Sequence, residues 1–569
     1  MKCFTFFLIA LAIISMLGGV DRASAADRPN VIVIMSDDMG FTDLGCYGGE
    51  IATPTIDALA AKGLRFRQFY NTSRCCPTRA SLLTGLYSHQ AGIGQMVNDL
   101  GYDGYRGDLN NRCVTLAEAV RPAGYRTYMT GKWHVTKQIV EKGTKNGWPL
   151  QRGFDRFYGT LSGAGNYFDP MSLVRDNTLI SPFDDPDYQP ETYYYTDAIS
   201  DYAVRFVREH ATTHAGSPFL MYVAYTAPHW PMHAKPADIA TYEGKYDDGY
   251  EPVRKARLER AVAAGVVAEG QAMAPTAGKW DDVADKEWES AGMEVFAAMV
   301  ASMDQGIGRI VAELERTGQF DNTLILYLQD NGGCHETNGR SARKEHPDGP
   351  RPEKPTFPPV SPKTVLERTF FPLQTREGFP VRMGPHVFPG PGDTFMAYGP
   401  NWANVSNTPF REYKHWVHEG GIATPLVVSW PKGIDPSRAG SVVHDIGHVI
   451  DLMPTVVDVA ASQYPETIDG VAILPMEGVS LRPTFAGKAL ERSQPIFWEH
   501  VGNKAVRDGN WKLVAKHGKP WELYDLSNDR AELHDLAEGE VATATRLANA
   551  WQAWADRVGV QPFPVKRPK

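Results

Sequence analysis

Four short apolar runs constrain this chain most, because each stops at a cluster of polar, chemistry-bearing residues. Asn30 to Met35 runs into Asp37 and Asp38, Tyr125 to Met129 into Lys132 and His134, Pro218 to Tyr225 into His229, and Asn322 to Leu328 into Asp330 and Asn331. Strands without alternation are covered on both faces, as in a parallel sheet packed between helices. In open sheets of that kind, ligands gather beyond the carboxyl ends of the strands. An α/β protein is expected, with one site assembled from segments far apart in sequence.

The donor types carry their own chemistry. Adjacent Asp37 and Asp38 repel one another unless a cation lies between them, and Asp330 and Asn331 add two more oxygen donors. Three carboxylates and an amide suit Ca2+ or Mg2+ and argue against zinc. Asp also serves turns and caps, but the company of the other clusters favours a metal. Lys132 and His134, two apart in extended chain, point the same way and suit contacts to one anion. His229 stands between Pro228 and Pro231, which orient it, and imidazole exchanges protons near neutral pH. His233 is the weaker candidate.

Between the first and second of these clusters lies Ser73 to Gly85, Ser-Arg-Cys-Cys-Pro-Thr-Arg-Ala-Ser-Leu-Leu-Thr-Gly. Leu64 to Tyr70 reads as a strand leading into it. Pro77 suits the first turn of a helix that Ala80, Leu82 and Leu83 continue, which puts Cys75 at the helix N-terminus. Free N–H groups and the positive end of the helix favour a tetrahedral oxyanion there, and Arg79 projects along the same face. Cys75-Cys76-Pro77-Thr78-Arg79 with Leu83-Thr84-Gly85 resembles the type I sulfatase signature C-x-P-[ST]-R followed by L-T-G. Gly131-Lys132-Trp133-His134 resembles the G-K-W-H motif of the same family, and the Asp37-Asp38 and Asp330-Asn331 pairs resemble its metal ligands. The string Phe410 to Gly421 is most similar to bacterial arylsulfatases.

This resemblance implies an alkaline-phosphatase-like α/β fold. A large domain would carry a mixed, mostly parallel sheet between helices, and a small C-terminal α+β domain an antiparallel sheet. It implies that Cys75 is oxidised by a formylglycine-generating enzyme and that its hydrated aldehyde is the nucleophile, Cys76 being only the variable position. It also implies one divalent cation, Ca2+ ahead of Mg2+, held by Asp37, Asp38, Asp330 and Asn331. Arg79, Lys132 and Lys414 would neutralise the sulfate, His134 would bond the formylglycine hydroxyl, and His229 would face the leaving group. The residues alone do not choose Lys414 over Arg411.

The periodicity predicts helices over Pro54 to Ala61, Glu294 to Arg316, Asp451 to Ala461 and Val541 to Val558, and a strand over Thr424 to Trp430. Short strands are expected at Pro495 to Trp498, Lys504 to Arg507, Trp511 to Ala515 and Trp521 to Leu526. The stretches 245–287 and 334–401 read as aperiodic insertions, the second forming part of the substrate mouth.

Residues 1–25 have a basic start at Lys2, an apolar run to Leu17 and Ala23-Ser24-Ala25 at the end, which reads as a secretory signal peptide. No other stretch is expected to span a bilayer. A periplasmic or extracellular protein follows, with a catalytic domain over 26–488 and a C-terminal domain over 489–569. The formal charge is −9, and loss of the leader's net +1 leaves −10, so nucleic acid is not an expected partner. Four cysteines, Cys46, Cys76, Cys113 and Cys334, are left with open pairing. Two rival readings are a metal-dependent phosphoesterase or phosphonate hydrolase, and a sulfated-glycan binding protein in which Cys75 stays a thiol.

Overall fold

The computed structural model describes residues 28–568. The leader assigned to residues 1–25 lies outside the described residues. Ten strands form one sheet: β1 (Asn30–Ser36), β2 (Leu64–Tyr70), β3 (Arg126–Gly131), β4 (Arg156–Thr160), β5 (Leu173–Arg175), β6 (Thr178–Leu179), β7 (Phe219–Ala224), β8 (Thr323–Gln329), β9 (Ala423–Ser429) and β10 (Ser441–His448). Their spatial order is β10-β2-β9-β8-β1-β7-β3-β4-β5-β6. The neighbours β8, β1, β7, β3 and β4 are parallel, as are β2 and β10; β9 and β5 run against them. The sheet is therefore mixed and mostly parallel.

Why the central strands read as unbroken apolar runs is visible in β1. Ile32 and Ile34 enter one core, while Val31, Val33 and Met35 enter the other, and all five are buried. The first core is closed by helices Pro54–Lys62, Tyr195–Thr213 and Lys286–Arg316, the second by Cys75–Thr84, Leu116–Val120 and Leu452–Val459. With each buried aliphatic side chain contributing roughly 1.5–3 kcal/mol, both faces hold the strand in register.

A separate antiparallel sheet follows, Ile496–His500, Asn503–Asp508, Trp511–Ala515 and Glu522–Asp525, covered by helix Val541–Val558. Phe497, Val506, Leu513, Leu523 and Trp554 form its core.

Several expectations are corrected. The long helix begins at Lys286, not Glu294: Asp285 caps it by accepting the N–H of Trp288. The 245–287 insertion contains a helix, Tyr250–Ala263, whose buried face includes Arg254 and Arg257 rather than a row of aliphatics. By length and composition Lys286–Arg316 is apolar enough to cross a membrane, contrary to the expectation for this part of the chain. Its apolar window is 72% buried, and the helix packs against Tyr195–Thr213 as a core element. The pairing left open for Cys46, Cys76, Cys113 and Cys334 resolves as four unbridged cysteines.

Candidate active site

Parallel strands bring the carboxyl ends of β1, β2, β3, β7 and β8 to one edge of the sheet, and Asp37, Asp38, Cys75, Arg79, Lys132, His134, His229, Asp330 and Asn331 lie there. Lys414 reaches the same edge by another route. β9 runs against β8, so the segment entering β9 arrives where β8 ends, and Lys414 N–H bonds Gly333 O at 3.1 Å.

Helix Cys75–Thr84 is buried along its whole length, with extended Arg74 as its N-cap and no side chain capping it. Its far end closes on Gly85 at φ +69°, where an added Cβ would fall 2.5 Å from Cβ of Met453. The Cys75 thiol is 2% exposed. A hydrogen bond from Cys76, with Lys132 and His134 nearby, holds it well below the usual thiol range despite burial. Burial takes His134 down to about 4. Its ring fits over Gly163, where a Cβ would come within 2.0 Å of Cε1. Cys76 Sγ lies 3.2 Å from His134 Nε2, so the variable position of the motif touches the ring expected to act on Cys75. No sequence signal pointed to that contact.

The four expected metal ligands meet. Asp37, Asp38, Asp330 and Asn331 are at most 1% exposed, and Asp37 Oδ1, Asp38 Oδ2 and Asn331 Oδ1 have no hydrogen-bond partner. The Asn331 amide nitrogen is occupied, donating to Asp38 Oδ1 at 2.7 Å and to Gly332 O at 3.0 Å, which leaves the oxygen as the free donor atom. Burial and the neighbouring Asp330 push the Asp37 carboxyl well up. Unpartnered buried oxygens are costly, and carboxylates repelling in low dielectric are costlier. Orphaned oxygens converging in an all-oxygen set fit a hard divalent cation.

Cations complete the cluster. Arg79 grips Asp330 Oδ2 through Nε at 3.1 Å and Nη2 at 2.7 Å, and Nη1 bonds Lys132 O at 3.1 Å. Lys132 Nζ bonds Asp37 Oδ2, and Lys414 Nζ lies 2.6 Å from Asp38 Oδ1. Arg411, the alternative to Lys414, turns away to Glu522 at 2.7 Å. His229 Nε2 is 3.4 Å from Asp38 Oδ2, and its Nδ1 is 2.6 Å from Trp230 O, which assigns the proton to Nδ1. Burial takes His229 down to about 3. Tyr167 OH, unnoticed in the sequence, sits 2.8 Å from the backbone oxygens of Thr226 and His229 and fixes that turn. His233 does not join the cluster; its Nε2 is 2.7 Å from Thr394 O.

Strained backbone concentrates here. Asp38, Ser73, His134, Glu412 and His415 all have φ between +54° and +94°. Non-glycine residues hold that conformation only where their surroundings impose it, and such residues gather at functional sites.

The Sulfatase family model matches residues 29–462. The chain belongs to the sulfatase family. A second match, to the C-terminal region of N-sulphoglucosamine sulphohydrolase, covers residues 411–550. An uncharacterized sulfatase of Schizosaccharomyces pombe is 31% identical over 96% of each chain. An arylsulfatase of Klebsiella aerogenes is 32% identical over 83% of this chain and 95% of its own. Among solved structures, Ps i-CgsB in complex with k-i-k-neocarrahexaose aligns with a TM-score of 0.63 at 23% identity, over 95% of each chain. That likeness places the chain in the alkaline-phosphatase-like fold of sulfatases. The protein is thus a sulfuric ester hydrolase acting on aryl or carbohydrate sulfate esters.

Proposed function

We propose that this sulfatase is exported, that Cys75 is converted to formylglycine, and that Asp37, Asp38, Asp330 and Asn331 hold one divalent cation, Ca2+ in preference to Mg2+. The observation that carries the reading is the convergence of three unpartnered ligand oxygens with the Cys75 helix N-terminus and Arg79, Lys132 and Lys414. Asp37, Asp38 and Asp330 balance those three cations in charge, so a bound dication makes the centre positive and suited to an anionic ester. The cation would supply Lewis-acid stabilisation of sulfate oxygens. Formylglycine would supply a geminal diol, one hydroxyl to attack sulfur and the other to drive sulfate release.

The chain's own residues do the rest. Arg79, Lys132 and Lys414 hold the sulfate oxygens and stabilise the charge that gathers on them. His134, kept neutral by burial, accepts the proton of the second hydroxyl. Lys414 donates a proton to the departing alcohol or phenol oxygen, and His229 assists when its Nε2 is protonated. The signal-peptide reading of residues 1–25 supports a periplasmic or extracellular location, and maturation requires a formylglycine-generating enzyme.

The deciding experiment is the mass of the Cys75 peptide from protein made in its own host. Replacement of sulfur by the aldehyde oxygen is expected. An intact thiol in protein from a host that modifies other sulfatases would overturn the mechanism. Chelation is expected to abolish activity, with Ca2+ restoring it better than Mg2+.

A further inference from the structure

Beside the nucleophile lies a pocket of about 350 Å3 that contains none of the metal ligands and none of the three cations paired with them. It is lined by Arg74 and Glu336, paired at 2.9 Å, by Trp416, and by the imidazoles of His335, His415 and His500. Its position relative to the reacting centre follows from the neighbours of these residues. Arg74 precedes Cys75, and Glu336 Oε2 accepts the indole N–H of Trp230, the residue after His229, at 2.8 Å. His415 follows Lys414 and donates its N–H to Ser73 O at 2.8 Å. The pocket is thus bounded by the chain around the nucleophile and around both groups assigned to the departing oxygen. His500 comes from the antiparallel sheet, so the C-terminal domain supplies part of the wall.

The lining is built to receive a ligand. Arg74 Nε, His335 Nδ1 and His500 Nδ1 are buried without a hydrogen-bond partner, and His500 as a whole is 2% exposed. Two lining residues hold left-handed backbone, His415 at φ +94° and Val501 at φ +47°, the second costly for a β-branched side chain. Trp416 and His335 pack against one another with ring centres 4.5 Å apart and planes tilted by 57°, so aromatic side chains make one wall of the pocket.

Charge decides what kind of guest. Arg74 is the pocket's one permanent cation, and Glu336 neutralises it. Burial keeps all three imidazoles uncharged, His415 down at about 4 and His335 and His500 below their ordinary value. Burial pushes the Glu336 carboxyl up, but the charges of Lys414 and Arg74 outweigh it and keep the group ionised. A second anion on the leaving group would meet this carboxylate with no free cation to offset the repulsion.

We propose that this pocket binds the alcohol half of the ester, admits planar uncharged rings and excludes rings that carry a second anionic group, with Glu336 setting the exclusion. The proposal rests on the sulfatase reading of the adjoining site and goes beyond it by naming the class of leaving group.

The test compares 4-carbamoylphenyl sulfate with 4-carboxyphenyl sulfate, nearly the same shape with and without the second charge, using fully matured enzyme. The amide is expected to have kcat/KM at least about tenfold higher, and Glu336→Gln is expected to bring the ratio close to one by improving the carboxylate substrate. Equal or reversed preference in the wild type, or an unchanged ratio in a folded Glu336→Gln variant, would overturn it. Calorimetric binding of 4-hydroxybenzamide and 4-hydroxybenzoate to the wild type needs neither turnover nor the variant. Tighter binding of the amide supports the pocket, and equal or weaker binding sinks it. Failure of matured enzyme to cleave any sulfate ester would refute the mechanism, while the same binding measurement would still judge the pocket.

Discussion

At Cys76 a position that the motif leaves free makes a specific contact. Its thiol lies against His134 Nε2 at 3.2 Å, and His134 stands at φ +54° with Nδ1 unpartnered, so this contact helps set where the ring points. A neutral hydrogen bond is worth about 1 kcal/mol, so Cys76→Ala is expected to slow kcat roughly five- to tenfold with little change in KM. Cys76→Ser, which keeps a donor, should recover most of the rate. Single-turnover kinetics on protein whose Cys75 conversion has been checked by mass would decide it; equal rates in all three proteins would show that Cys76 only fills space. The places of Asp37, Asp38, Asp330 and Asn331 were legible because paired oxygen donors directly after covered strands fall at the edge where parallel strands finish. Those of Glu336 and Tyr167 were not: each lies in irregular chain, where neither periodicity nor spacing says what a side chain will face.

Elements place these residues through a few close backbone approaches. β3 ends at Gly131, whose φ is +97° and whose missing Cβ would lie 1.9 Å from the carbonyl oxygen of Ala224 at the end of β7. Only glycine lets the chain turn there and set Lys132 N–H on that same oxygen at 2.7 Å. Gly131→Ala is expected to cost more than about 2 kcal/mol through left-handed strain and the clash together, and to lower kcat further than stability alone explains. Urea midpoints and kcat on the same samples would show it; wild-type values in both would mean that the turn adapts freely. Most strands and helices with regular apolar spacing were expected to within a few residues, and helix Val541–Val558 to the residue, while the long helix starts eight residues before Glu294, at Lys286. Strand β10 escaped notice because its burial is patchy, with His444 exposed between intermediate and buried neighbours, so it resembles neither a covered strand nor a clean alternation. Helix Tyr195–Thr213 escaped because tyrosine, serine and threonine supply much of its buried face.

Across the whole molecule, the two domains are joined by buried charge. Lys512 of the C-terminal sheet lies 3.0 Å from Glu419, at the entry to β9, and 2.8 Å from Glu532, while Arg530 reaches Glu419 at 2.9 Å. Burial pushes the Glu419 carboxyl up, but Lys512, Arg530 and Arg507 outweigh it and hold it at about 2. Removing one member strands its partners, so Lys512→Met is expected to cost about 3–5 kcal/mol, read as a lowered urea midpoint of cooperative unfolding. A midpoint within experimental error of wild type would mean that the network relaxes without loss. A second whole-molecule property is acid sensitivity. Burial and the nearby Arg492 take His448 down to about 3, and burial takes His233 down to about 4. Below the ordinary histidine value of about 6.5, the unfolded chain binds protons that the folded chain refuses. Stability is therefore full above that pH and is lost as pH falls, by about 1.4 kcal/mol per pH unit for each such group. His448→Asn retains a cap acceptor for the Ile450 N–H and should flatten melting temperature against pH between 6.5 and 5, before the carboxylates titrate. An unchanged slope would exclude His448 as a contributor. By itself the sequence determined the strand ends, the Cys75 helix and the oxygen-donor set, because apolar runs, a proline in a first turn and paired carboxylates are local signals. Only the tertiary structure decided that Lys414 rather than Arg411 meets the carboxylates, that Cys76 touches His134, and that Arg74, Glu336 and a histidine from the second domain share one pocket. Those facts depend on which distant segments the sheet order brings together, and no local pattern encodes that.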